Sequence, residues 1–233
     1  MPDLTKPCDL HLDIVRFQYG LLHLTRALND RRKIKIVAIG SSSTAGEGDV
    51  IPFPHRLELA LRKRFPDRMI DVLNRGIGGQ EAPEELSRFE SDVVAEAPTL
   101  VIWQVGTNAI YHRELYDPSS VATTIATGVS WLKCLETDVI LMDLQYAPIL
   151  LQKQEHDTRL MVSLISSVAG AAEVNLFQRF ALMKQWEDDG IAPNTMFGSD
   201  GLHQTDFSTN CVTLSLDLAI GAATGTIPTA PAA

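Results

Sequence analysis

Five short β-branched or apolar runs, separated by longer segments of helical character, constrain this chain more than any other feature. The runs are Ile34–Ile39 (IKIVAI), Met69–Leu73, Leu100–Trp103, Val139–Met142 and Val174–Phe177. The intervening segments Pro54–Arg64, Pro83–Ala95, Ser120–Leu135 and Asp157–Ala171 read as helices, and a last helix is expected to start at Thr205 or Asp206. Strands that alternate with helices at this spacing pair in parallel, with helices covering both faces of the sheet. The expected class is therefore α/β with a parallel sheet. In such sheets the loops leaving the carboxyl ends of the strands converge, and ligands bind there.

Upstream, Leu10, Ile14, Phe17, Leu21, Leu24 and Leu28 recur at steps of four and three, ending near Asn29-Asp30. That spacing predicts one helix with one apolar stripe. The stripe lies either on the domain body, the favoured reading, or in the seam of a homo-oligomer. Six positions are too few to require a coiled coil. Residues 1–32 are thus expected to form a helical extension and residues 33–223 one domain, a division that suits a chain of 233 residues. The Pro/Ala/Thr-rich tail 224–233 is expected to be disordered.

The formal net charge of −9 argues against a nucleic-acid surface, which needs a basic stripe to neutralise phosphates. No apolar run reaches the length of a membrane span. The start MPDLTKPCDL lacks the basic and apolar regions of a signal peptide. A complete chain would accordingly be cytoplasmic, and one that has lost a leader periplasmic or secreted. Cys8, Cys134 and Cys211, odd in number and widely spaced, read as thiols outside any disulfide framework or CxxC site. The six histidines show no zinc spacing, so neither metal nor cofactor is implied.

The chemistry-bearing residues sit where the strands end. The first strand runs into Gly40-Ser41-Ser42-Ser43-Thr44-Ala45-Gly46. This loop is no P-loop, because Glu47 stands where a lysine would bind phosphate, and no GxSxG elbow, because Thr44 replaces the second glycine. A serine nucleophile, a flavodoxin-type phosphate cradle and a plain turn all remain open on this segment alone. The second strand leads into Asn74-Arg75-Gly76-Ile77-Gly78-Gly79-Gln80, whose glycines let backbone N–H groups approach a ligand. The third ends in Gln104-Val105-Gly106-Thr107-Asn108, which places an amide side chain toward the same cleft. Late in the chain, Asp200 precedes His203 by three residues, a spacing that lets a carboxylate orient an imidazole base.

Taken in order, GSSST, NRGIGG, GTN and DGLH resemble the four sequence blocks of the SGNH (GDSL-type) esterase and lipase superfamily. The blocks span Gly40 to His203 and leave the N-terminal helix outside. The resemblance implies a flavodoxin-like three-layer α/β/α sandwich with a five-stranded parallel sheet. It also implies a serine hydrolase of acyl esters, with Ser42 as nucleophile, His203 as base and Asp200 behind it. Ser42 and Gly79 backbone N–H groups and the Asn108 amide would form the oxyanion hole. Three positions depart from the family pattern: Ser41 replaces an aspartate, and Gln80 and Ala109 stand where acidic residues are often found. Tyr111, His112, Tyr146 and Phe197 are candidates for lining an acyl or sugar pocket. The expected substrate is a small-molecule or glycan ester with a short acyl chain. An O-acyltransferase with the same groups, a phosphate-binding module and a catalytically silent relative are the competing readings.

Overall fold

The computed structural model describes residues 8–226. Its centre is a five-stranded, all-parallel sheet of β1 (Lys33–Gly40), β2 (Met69–Gly76), β3 (Leu100–Gln104), β4 (Asp138–Met142) and β5 (Asn175–Phe177). The order is β2-β1-β3-β4-β5, the flavodoxin-like arrangement, and all five expected strands are present. Every residue of β3 is buried, because β1 and β4 flank it and helices cover both its faces. In the edge strand β2 only Ile70 and Val72 are buried, which matches a surface that is half exposed.

The helices are α1 (Leu12–Val15), α2 (Leu22–Asp30), α3 (Ser42–Ala45), α4 (Phe53–Arg64), α5 (Ala82–Ser87) and α6 (Phe89–Asp92). They continue as α7 (Thr107–Tyr111), α8 (Pro118–Leu132), α9 (Pro148–Ala172), α10 (Arg179–Asp188), α11 (Pro193–Met196) and α12 (Asp206–Ala223). Right-handed crossovers put α5, α8 and α9 on one face of the sheet. Helices α4 and α12 pack together on the other, joined there by α1. Helix α9 starts earlier than its periodicity predicts and is broken at Gln154, whose φ is −146°. The buried Thr158 hydroxyl lies 2.8 Å from Gln154 O and 3.3 Å from Leu150 O, the carbonyl whose helical partner would be the Gln154 N–H.

Three expectations are corrected. The single N-terminal helix is two helices, because tertiary hydrogen bonds outweigh continuous periodicity between them. The Tyr19 backbone N–H and C=O pair with the Asn175 side-chain amide at 2.9 and 3.0 Å, at the β5 edge of the sheet. The Asp138 carboxylate then accepts from Leu24 N–H (2.8 Å) in the first turn of α2. Phe17, Leu21, Leu24 and Leu28 are buried in the same core as the strands, so the chain's own body covers the stripe. The helix expected over Pro83–Ala95 is likewise broken, into α5, α6 and a 3-10 turn at Val94–Glu96. Its break falls at Arg88, whose guanidinium reaches back to Gln80 Oε1 (2.7 Å) and Gly40 O (3.3 Å).

The third correction concerns the cysteines. Cys8 and Cys211 form a disulfide with Cα atoms 6.0 Å apart across a sequence separation of 203. Only Cys134 is free among the described residues. Spacing along the chain carries no record of this pair, because it is the docking of the N-terminal segment on α12 that brings the sulfurs together. At the other end, Thr226 N–H donates to Gly221 O (2.8 Å), and Arg64 donates to Thr226 O (2.9 Å). The remainder of the expected disordered tail, 227–233, lies outside the described residues.

Closing a loop of this length stabilises the fold by about 5 kcal/mol in the chain-entropy model, an upper figure for real proteins. Cys211→Ser, or reduction, is expected to lower Tm by roughly 5–15 °C by circular dichroism. An unchanged Tm would show that the bond adds nothing measurable to stability.

Candidate active site

Parallel pairing starts the site loops level with one another. Gly40 stands opposite Gly76, and Ile39 opposite Trp103. The loop after β1 turns at once into α3, with Ser42 as its first residue. The turn lies so close to its neighbours that larger residues would not fit. A Cβ on Gly40 would fall 2.4 Å from Thr44 Oγ1, and one on Gly76 would fall 2.2 Å from the Ala45 backbone nitrogen.

Ser41, where the resemblance expects aspartate, faces inward and is buried. One oxygen, Gln104 Oε1, accepts from Ser41 N (3.1 Å), Ser41 Oγ (3.0 Å) and Thr44 Oγ1 (3.2 Å). The last residue of β3 thereby anchors the turn from below. Ser42 stands on the other side of that turn, where its Oγ lies 3.0 Å from His203 Nε2. His203 Nδ1 lies 2.6 Å from Asp200 Oδ2. Asp200 Oδ1 accepts from the backbone N–H groups of Leu202 (2.9 Å) and His203 (3.0 Å), which ties the carboxylate to the loop that carries the imidazole. Burial pushes the Asp200 carboxyl up, but these bonds and the His203 ring outweigh it and hold the group below its ordinary range.

Gly79 adopts φ +79°, a left-handed conformation that favours glycine. No acceptor among the described residues takes the N–H of Ser42 or of Gly79. Asn108, on α7 and 4% exposed, donates from Nδ2 to Gln80 O (2.8 Å), and a second N–H remains on that nitrogen. The resemblance's five residues thus belong to two connected groups: Ser42, Asp200 and His203 in one hydrogen-bonded chain, and Asn108 bonded to the turn of Gly79 and Gln80.

Several residues that support the site carried no notice in the sequence. Glu81, fully buried, accepts from Ala82 N (3.0 Å) and Gly106 N (2.8 Å) with one oxygen and from Ala109 N (2.8 Å) with the other. It joins the glycine turn to the helix that displays Asn108. Its signal was the Glu81-x-x-Glu84 spacing, which forms a capping box at the start of α5. Ala109 is buried, and its N–H is one of those Glu81 gathers.

The pocket candidates separate. Tyr111 lies one turn beyond Asn108, 40% exposed, with its ring edge-on to His112 at 4.9 Å. His112 is half-buried, with Nδ1 3.4 Å from Glu114. Tyr146 packs edge-on to Phe180 at 5.0 Å, and Phe197 is buried in the core, where it bridges to Gln204. Phe197 therefore packs the loop before His203 rather than lining a cleft. The hollow at Ser42, bounded also by Ser43, Glu47, Pro52, His203 and Gln204, measures about 20 Å³. A roomier cavity of about 460 Å³ opens at the opposite end of the sheet, among His23, Arg26, Thr99 and Glu136. The hydrogen-bonded side chains, and not cavity size, mark the site.

Among the described residues no group of three or more His, Cys, Asp or Glu is arranged to hold a metal ion. No described helix is long and apolar enough to cross a membrane.

The model of the non-GDSL lipase-like family matches residues 7–225. The uncharacterized lipoprotein YqeF of Bacillus subtilis (strain 168) is 32% identical over 90 residues, 38% of this chain and 37% of its own length. The chain thus spans well under two thirds of that relative. Among solved structures, an acetylxylan esterase from Geobacillus stearothermophilus superposes with a TM-score of 0.67 at 19% identity, covering 82% of this chain and 94% of its own. An alpha/beta hydrolase enzyme from the metagenome of Lake Arreo, Spain, does so with a TM-score of 0.66 at 20% identity, covering 84% and 97%. At these identities the two structures share the fold.

Glu85 supplies a test of the buried carboxyls. One of its oxygens accepts from Trp103 Nε1 (2.7 Å) and the other is buried without a partner among the described residues. Burial, and then the charge of Glu81, push its pKa well above the ordinary value. The folded state therefore keeps a proton that the unfolded chain has released, so stability declines as pH rises from the ordinary carboxylate range toward the folded value. Glu85→Gln is expected to flatten this decline in urea midpoints taken between pH 5 and 8. Parallel curves for parent and variant would show that Glu85 is already ionised.

Proposed function

We propose that this chain, which belongs to the non-GDSL lipase-like family, is a carboxylic-ester hydrolase that cleaves short-chain acyl esters through an acyl-enzyme on Ser42. The observation that carries this reading is the continuous chain from Asp200 through His203 to Ser42 Oγ, with links of 2.6 and 3.0 Å. A phosphate cradle would need neither that chain nor the Asn108 amide.

His203 Nε2 takes the Ser42 proton as Oγ attacks the ester carbonyl. The carbonyl oxygen becomes an oxyanion and receives hydrogen bonds from the Ser42 and Gly79 N–H groups and the Asn108 amide. The tetrahedral adduct collapses when His203 returns the proton to the leaving alkoxide, and the acyl group stays on Oγ. Water then repeats the sequence: His203 takes its proton, the new adduct breaks at Oγ, and Ser42 regains a proton as the acid departs. Asp200 keeps its charge throughout, holds the Nδ1 proton and stabilises the imidazolium. An acetyl ester on a sugar is consistent with the fold shared with an acetylxylan esterase.

Ser42→Ala is expected to reduce hydrolysis of an aryl acetate to background while leaving the circular dichroism spectrum unchanged; substantial residual turnover would overturn the assignment. Asn108→Ala is expected to lower kcat by about 10²–10³ with a modest change in KM, the loss typical of one oxyanion donor. A kcat within threefold of the parent would remove Asn108 from that role.

A further inference from the structure

We propose that Gln145 is a positioning residue that holds the Asn108 helix and the His203 loop in one frame, an inference that rests on the acyl-enzyme reading above. Gln145 follows β4 and is 1% exposed. Its Oε1 accepts from Thr107 Oγ1 (2.8 Å) and Arg179 Nη2 (2.9 Å), and its Nε2 donates to Leu202 O (3.2 Å). Thr107 immediately precedes Asn108, and Leu202 immediately precedes His203. One amide therefore bonds to the neighbour of an oxyanion donor and to the neighbour of the base. Two donors at one end and a carbonyl at the other leave only one orientation of the amide that satisfies every group.

Arg179 extends the frame to the far side of His203. It is fully buried, donates from Nε to Asp143 O (2.9 Å), and reaches Gln204 Oε1 with Nη1 (3.4 Å). Burial lowers its pKa to about 10, which leaves it charged at neutral pH. Its positive charge polarises the Gln145 carbonyl and strengthens the bond from Thr107. The Leu202 carbonyl on one side of His203 and the Gln204 side chain on the other are thus tied to a single buried cluster, while the imidazole faces Ser42. None of these side chains is bonded to a reacting atom. They act by distance, since a displacement near 1 Å between base, nucleophile and oxyanion donors costs about 10²-fold in rate.

Two substitutions separate positioning from packing. Gln145→Met keeps the length without the polar atoms. Gln145→Glu keeps the acceptor for Thr107 and Arg179 but sets a second oxygen against the Leu202 carbonyl. Both are expected to lower kcat on an aryl acetate by about 10–100-fold, with KM within about threefold of the parent. Labelling of Ser42 by an alkyl fluorophosphonate, followed by intact mass, is expected to slow in parallel. Thr107→Val should slow labelling as well, and Thr107→Ser, which keeps the hydroxyl, should restore it. If Gln145→Met does not fold, the Thr107 pair and Gln145→Glu decide. Parent-like kcat and labelling in Gln145→Glu and Thr107→Val, whatever their Tm, overturn the inference. A parent that hydrolyses and labels while these variants are unaffected sinks this inference alone, whereas a parent that does neither sinks the acyl-enzyme reading and this inference with it.

Discussion

The lateral pairing of β1 between β2 and β3 is the constraint from which the site follows. Parallel strands in this register deliver their carboxyl ends to one rim, so the loops after Gly40, Gly76 and Gln104 begin side by side. Residues 42, 79 and 108, far apart along the chain, become neighbours because their strands are. Small residues are then needed where backbones meet, as the fit of Gly76 against Ala45 illustrates.

Hydrogen bonds fix what the strands bring together. Glu81 gathers three backbone N–H groups across two loops, and Gln104 Oε1 accepts three donors beneath the serine turn. Each bond adds on the order of 1 kcal/mol, whereas an orphaned partner in a dry interior loses more. These contacts therefore stabilise less by their sum than by penalising every alternative arrangement of the loops. The departures from the family pattern fit this picture. Ser41 serves the buried side of its turn, Gln80 is held by Arg88, and Ala109 contributes its N–H to Glu81.

Much of the fold was legible because its signals are local. The IKIVAI run, the apolar strand ending at Trp103 and the threonine before Asp206 each declare an element within a few residues. The candidate nucleophile and base could be read in order along the chain, since each lies just past a strand or before a helix. What escaped depends on contacts between distant segments. The stripe from Leu10 to Leu28 has flawless periodicity, yet Asn175 holds the middle of it in a bend at Gln18-Tyr19. Gln145 and Glu81 looked like ordinary polar residues because their meaning lies in partners that only the folded chain supplies. Phe197, placed by sequence near the site, is adjacent to it in connectivity and separate from it in function, its ring being committed to the core.

The bond between Cys8 and Cys211 gives the molecule a different topology from the one its linear sequence suggests. It closes a ring around all five strands and every site residue named here, leaving outside it the residues before Cys8 and those after Cys211, which include most of α12. A single peptide cleavage in any surface loop between those cysteines opens the ring but does not divide the protein. The two pieces stay covalently joined, and the severed ends remain tethered close to the structure they left. A single nick in one of its loops therefore leaves the five strands within one covalent molecule.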